Sequence, residues 1–180
     1  MYTIVVDADG LTKLGKSGAL PLLLGAARLL VPKAVWEESV EEGKRRMYED
    51  AHELEAALVD GGAEVVSYEA GEEVEGLLGG GSAASFGAGE RAALAVFYAV
   101  GADAVLTDDR AFLRLLADAD PPVPALVPAA AIVALAEGDW MTVDEARDAL
   151  DKLKPSIWGD VHAAAVEDLE TIQRAKGGEQ

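Results

Sequence analysis

Five short apolar runs, each followed by a segment of helical composition, constrain the fold of this chain more than any other feature. The runs cover residues 2–6, 29–31, 65–68, 104–107 and 125–127. Short apolar runs of this kind, rich in β-branched residues and bounded by turn residues, are typical of buried strands. A chain that alternates strands with helices folds into a mostly parallel sheet with helices on both faces. We therefore predict an α/β protein with a three-layer α/β/α architecture.

A helical tail follows the last predicted strand and its short helix. Thr142 and Glu145 have the spacing of a capping box, in which each side chain satisfies the backbone of the other residue. The helix that they begin is expected to stop before Pro155, and a second helix follows it. We predict a main domain over residues 1–138 and a C-terminal helical extension over residues 139–180, packed on the same domain.

The composition excludes several kinds of site. The chain has 180 residues and no cysteine, which rules out disulfides, thiolate metal sites and cysteine nucleophiles. His52 and His162 lack partners at ligand spacing, which argues against a histidine-built zinc site. No apolar run has the length of a membrane span, and the start does not resemble a signal peptide, so we expect a cytoplasmic protein with no membrane partner.

The net charge of −18 argues against a surface that coats nucleic acid. It permits an enzyme that handles nucleic acid through a bound metal ion.

Four acidic residues from distant segments are expected to converge at one edge of the sheet. Asp7 follows the first predicted strand and Asp109 the fourth, while Glu38 and Glu90 lie on helices near strand ends. The carboxyl ends of parallel strands share one edge, which is where open α/β sheets bind ligands. Carboxylates gathered there need a counter-charge, which Mg²⁺ or Mn²⁺ can provide. Such an ion polarises a phosphoryl oxygen and supplies hydroxide, so the pattern predicts metal-dependent hydrolysis of a phosphate ester.

Helical spacing distinguishes Glu38 from its neighbour Glu37. Glu38 shares a stripe with the apolar Ala34 and Val35, which places it on the inward side of its helix. Glu37 is four residues from Lys33, the spacing of an exposed ion pair. We therefore expect Glu38, and not Glu37, to face the sheet.

Four segments occur in the order that resembles a PIN-domain ribonuclease. They are the strand that ends at Asp7, followed by VPKAVWEE, GAGERAALA and VLTDDRAF. The likeness covers about residues 2–135 and is to the group that includes VapC-type toxins and their archaeal and bacterial relatives. It implies a PIN-like fold and an endoribonuclease that uses Mg²⁺ or Mn²⁺. The tail is similar to the helical extension of some relatives.

The resemblance also assigns roles to residues of this chain. It implies a catalytic tetrad of Asp7, Glu38, Glu90 and Asp109, which we call the four acids, and a metal site formed by Asp7, Glu90 and Asp109 with their neighbours Asp108 and Asp9. RNA is the implied substrate, an antitoxin protein is a candidate partner, and a homodimer is the expected assembly. Lys13, Arg91 and Arg110 lie within a few residues of these acids, and we predict that they contact the substrate.

Two other interpretations stay open at this point. Asp7 and Asp9 after an apolar strand also match the opening of haloacid-dehalogenase-like phosphatases, in which the first Asp is the nucleophile and the second the general acid. That interpretation gives Glu38 and Glu90 no role, and Leu11 stands where those enzymes usually have Thr or Val. The third interpretation is a non-catalytic PIN-like binding module, in which the acids only satisfy helix N-termini.

Overall fold

A parallel sheet forms the centre of the protein. The computed structural model describes residues 1–78 and 86–177, so the glycine-rich loop expected at residues 79–82 lies outside the described residues. The strands are β1 (Thr3–Val6), β2 (Arg28–Pro32), β3 (Glu64–Val66), β4 (Ala104–Leu106) and β5 (Ala125–Leu126). They pair in the order β3-β2-β1-β4-β5, and every pairing is parallel. The predicted parallel sheet is confirmed.

Helices cover both faces of this sheet. They are α1 (Ala8–Ser17), α2 (Leu20–Ala26), α3 (Lys33–Trp36), α4 (Gly43–Arg45), α5 (Glu49–Asp60), α6 (Glu72–Leu78), α7 (Ala88–Val100), α8 (Arg110–Asp118), α9 (Pro128–Glu137), α10 (Val143–Leu153) and α11 (Gly159–Gly177). A π-helical segment, Glu37–Glu42, connects α3 to α4. The result is the predicted three-layer α/β/α fold with a C-terminal helical extension.

The central strand β1 divides the hydrophobic core into two parts. Ile4 and Val6 are buried in one apolar cluster, and Val5 between them is buried in the other. Successive side chains of a strand point to opposite faces, so this alternation places a core on each side of the sheet. The extension contributes Leu150 and Leu169 to the side that holds Ile4.

The junction between β1 and α1 sets the position of the first acid. Asp7 ends the strand and caps the helix, since its Oδ1 accepts a hydrogen bond of 2.6 Å from the Gly10 backbone N–H. With this cap, the helix begins at Ala8, directly after Asp7. A Cβ at position 10 would lie only 2.8 Å from the Leu106 carbonyl oxygen, so glycine lets α1 approach β4 closely.

The C-terminal extension packs on the rest of the protein near its start. The capping box of α10 is confirmed, with the Thr142 and Glu145 side chains each bonded to the backbone of the other residue. The Trp140 ring covers Gly25 of α2, where a Cβ would meet it at 3.1 Å. The division of the chain near residue 138 stays a prediction. Among the described residues, no helix combines the length and apolarity needed to cross a membrane.

Candidate active site

Asp7 is a buried carboxylate at the carboxyl end of β1. It is 3 % exposed, and in addition to the Gly10 backbone N–H it accepts a hydrogen bond from the Thr107 hydroxyl. Burial raises the pKa of Asp7 to about 6, which these two hydrogen bonds only partly oppose. The negative charges of Asp9 and Glu90 raise this pKa further. Asp7 and Glu90 therefore repel each other electrostatically.

Thr107 connects Asp7 to Asp109 and was not singled out by the sequence analysis. Its buried hydroxyl donates to Asp7 and accepts a hydrogen bond of 3.1 Å from the Asp109 backbone N–H. The Asp109 carboxylate accepts one of 2.7 Å from the Phe112 backbone N–H and so caps α8. The sequence feature that could have indicated Thr107 is its hydroxyl side chain between a buried strand and two acids. Thr107 fixes the orientation of Asp7 relative to the start of α8.

Glu38 and Glu90 come together where the π-helical segment meets the first turn of α7. Glu38 is exposed, but its partial desolvation raises its pKa, and the charges of Glu90 and Glu42 raise it further. Gly89 allows this approach, because a Cβ there would lie 3.3 Å from Glu38 Oε2. Glu38 therefore lies close to the N-terminus of α7. The exposed Glu37 lies 3.7 Å from the Lys33 ammonium, which confirms its predicted place on the solvent side.

Lys13 forms two ion pairs within the site. Its Nζ atom lies 2.6 Å from Asp9 Oδ2 and 2.6 Å from Asp108 Oδ2. Burial lowers the pKa of the Lys13 ammonium, but the hydrogen bonds and charges of the two carboxylates outweigh it and raise the pKa overall. The Lys13 ammonium is thus engaged by two acids. Its contact with substrate stays a prediction.

Asp108 is the more buried of the two partners of Lys13. Its side chain is 1 % exposed, and burial raises its pKa while Lys13 opposes that rise. Its Oδ1 atom is buried and has no hydrogen-bond partner among the described residues. Asp108 therefore depends on Lys13 for charge compensation.

The two arginines predicted to contact substrate differ in their surroundings. Arg91 lies 2.8 Å from Glu75 of α6. The Arg110 guanidinium stacks on the Trp158 ring, 3.6 Å from its centroid, and lies 3.2 Å from Asp160. Arg110 follows Asp109 at the start of α8, and its charge lowers the pKa of Asp108.

The carboxylate oxygens of the site are ligands that a hard divalent cation prefers, but among the described residues they do not form a preformed metal-binding site. Asp7, Glu38, Glu90 and Asp109 offer carboxylate oxygens, and Mg²⁺ is usually bound through one or two carboxylates while it keeps several waters. Within residues 1–78 and 86–177, no group of three or more His, Cys, Asp or Glu side chains is arranged to hold a metal ion. The expected direct convergence of all predicted ligands on one point is therefore not found in these residues.

A cleft of about 780 Å³ begins at Asp9 and Glu38 and continues between α1 and α5. Lys16, Arg46 and Tyr48 line it further from the acids. Of the predicted site residues, Asp9 and Glu38 line this cleft, whereas Asp7, Glu90 and Asp109 do not.

The architecture and the acids at its carboxyl edge define a three-layer α/β/α protein with an acidic candidate active site. A family model described as a PIN domain matches residues 3–123, and the chain belongs to the PIN-domain family. No curated protein and no solved structure matches the chain. PIN domains are generally nucleases that use divalent metal ions, so membership indicates nuclease activity in general. It confirms the predicted family and favours the nuclease over the phosphatase interpretation.

Proposed function

We propose that the chain is a metal-dependent endoribonuclease that hydrolyses RNA phosphodiester bonds at the edge where the four acids lie. The observation that carries the proposal is the arrangement of the acids in a PIN-family chain: Thr107 links Asp7 to Asp109 by hydrogen bonds, and Glu38 approaches the first turn of α7, which carries Glu90. The negative charge of Glu90 raises the pKa of Asp7 and that of Glu38, and a cation bound among these carboxylates would relieve this repulsion.

Asp7, Glu90 and Asp109, with their neighbours Asp108 and Asp9, are the residues proposed to hold Mg²⁺ or Mn²⁺, and Glu38 completes the catalytic set. When bound, such an ion would polarise a phosphoryl oxygen of the substrate and would lower the pKa of a bound water. The chain itself orients the acids, since Thr107 and Gly10 fix both oxygens of Asp7 by hydrogen bonds.

The assembly and partners belong to the same proposal. The family resemblance supports RNA as substrate, a homodimer, a cytoplasmic location and a VapC-like toxin role with an antitoxin partner. The extension lies beyond the family match, which ends at residue 123, and this supports the proposed division into residues 1–138 and 139–180.

Replacing Glu90 or Glu38 by glutamine is expected to lower cleavage of mixed RNA by about 10²-fold or more, since each loses a charge at the metal locus. The measurement is initial cleavage rate with Mn²⁺, and with EDTA as the metal-free reference. Glu37→Gln is the matched control, because Glu37 adjoins Glu38 but pairs with Lys33 on the solvent side. The proposal is contradicted if the wild-type protein leaves RNA intact with Mn²⁺. It is also contradicted if Glu37→Gln lowers the cleavage rate as much as Glu38→Gln does.

Two further measurements separate this proposal from its alternatives. A phosphatase that uses Asp7 as nucleophile turns over p-nitrophenyl phosphate and forms a trappable aspartyl-phosphate, and the proposed nuclease does neither. For the binding module, calorimetry decides. Mn²⁺ binding that Asp7→Asn and Asp109→Asn abolish supports the nuclease, and absence of such binding supports the module.

A further inference from the structure

The C-terminal extension reaches back to the acidic edge through one arginine. Arg110 is the first residue of α8 and directly follows Asp109, which caps that helix. Its guanidinium stacks on Trp158, and its Nη2 lies 3.2 Å from Asp160 Oδ1. Both partners stand at the start of α11, outside the segment that the family model matches. The extension therefore holds a cation next to the proposed catalytic residues.

The contact leaves part of the guanidinium available. Stacking occupies one of its two faces, and Asp160 takes only Nη2. Within the described ranges, the hydrogen bonds of Arg110 involve no Nε or Nη1 donor. Arginine side chains lose about 2 kcal/mol of rotamer entropy when fixed, so an arginine that is already held binds a phosphate at a smaller entropic cost.

Arg110 is also the predicted contact residue whose neighbours suit a substrate best. Lys13 is neutralised by two carboxylates, and Arg91 lies 2.8 Å from Glu75, whereas Arg110 has the longer distance of 3.2 Å to Asp160 and also stacks on an aromatic ring. The side chains of Arg110 and Trp158 stay exposed, and the chain as a whole carries a net charge of −18. An anionic polymer that approaches this protein needs local positive charge, and a planar guanidinium both binds phosphate and stacks on bases.

We propose that Trp158 and Asp160 are positioning residues that hold Arg110 for contact with the RNA chain beside the cleavage site. The extension then forms part of the substrate-binding surface. This inference rests on the proposed ribonuclease function and specifies how that site holds its substrate. Trp158 acts through Arg110, so its effect disappears when Arg110 is absent.

The test measures binding of a labelled single-stranded RNA by fluorescence anisotropy, with every variant in the Asp7→Asn background so that cleavage does not interfere. Trp158→Ala is expected to weaken binding about fivefold, the scale of an exposed cation–π contact of about 1 kcal/mol. Trp158→Phe retains a ring and is expected to stay within about twofold of the Asp7→Asn parent. Trp140→Ala is the matched control, because Trp140 is similarly exposed but covers Gly25 away from the acids.

A double variant distinguishes positioning from direct stacking of Trp158 on a base. Arg110→Gln is expected to weaken binding and to lower the salt dependence of log K by about one unit, as loss of one phosphate contact does. Adding Trp158→Ala to Arg110→Gln is expected to cause no further loss. Additive losses, or unchanged binding by Trp158→Ala, overturn the inference. Wild-type protein that neither binds this RNA in EDTA nor cleaves it with Mn²⁺ overturns the proposed function instead, and the inference with it.

Discussion

Replacing Asp7 by asparagine is expected to abolish RNA cleavage and, at the same time, to stabilise the fold at neutral pH. The Asp7 carboxylate is buried, and its pKa is raised from 3.8 to about 6, so the folded state holds the charged form at a cost. A shift of this size corresponds to about 3 kcal/mol, from which the imperfect fit of the amide subtracts. Asparagine keeps an oxygen that accepts from the Gly10 N–H. We expect a net gain of about 1–3 kcal/mol at pH 7 without metal.

The sign of the pH dependence follows from the raised pKa. Between about pH 4 and pH 6 the folded protein binds the Asp7 proton more tightly than the unfolded chain does, so stability from this group falls as the pH rises. Asp7→Asn therefore gains nothing below pH 4 and gains fully above pH 6. Urea unfolding in EDTA across this range measures it, with the exposed Asp148→Asn as control. A variant that still cleaves RNA, or that is less stable than wild type at pH 7, contradicts this prediction.

A buried carboxylate such as Asp7 lowers the free energy of unfolding at neutral pH, and a site that gathers several carboxylates has this cost by its nature. Asp7 is also the helix cap of α1, and a neutral asparagine would fill that structural role. The presence of an aspartate and not an asparagine at buried position 7 therefore supports a chemical role for its charge.

Local sequence patterns predicted the sheet and the separate positions of the acids. Each strand contains a short apolar run, although β2 begins with Arg28 and β3 with Glu64. Strand ends and helix starts are local features, so Asp7 and Glu90 were placed on the correct elements. The spacing of Glu37 from Lys33 likewise identified the solvent side of the helix.

Contacts between distant segments were not predictable in this way. Lys13 meets Asp108, 95 residues further along the chain, and Arg110 meets Asp160, 50 residues away. Such pairs depend on how closely α1 approaches β4 and where the extension docks, which periodicity does not report. A substrate role for Lys13 was inferred from nearness in sequence alone, and in the fold its ammonium serves two acids.

Lys13→Met is expected to destabilise the protein by about 2–4 kcal/mol at pH 7, because removing one partner leaves a buried carboxylate uncompensated. Methionine keeps an unbranched apolar stem of similar length, so the change acts mainly on charge. Asp108 is the acid at risk, since its side chain is 1 % exposed and its Nζ partner lies 2.6 Å away. Burial already raises the pKa of Asp108, and without Lys13 this pKa rises further. The loss of stability is therefore largest at high pH and shrinks as Asp108 takes up a proton.

Lys16→Met is the matched control on the same helix. The Lys16 ammonium pairs with Asp50 at 3.3 Å, and both side chains are about half exposed, so we expect a change of about 0.5 kcal/mol or less. Urea unfolding at pH 5 and pH 8 measures both variants, and Lys13→Met/Asp108→Asn is expected to regain part of the lost stability. Equal effects of Lys13→Met and Lys16→Met, or no recovery in the double variant, show that Lys13 does not compensate a buried charge. Recovery, by contrast, assigns Lys13 as the internal cation of the acidic edge, because only removal of the unpaired carboxylate then relieves the loss.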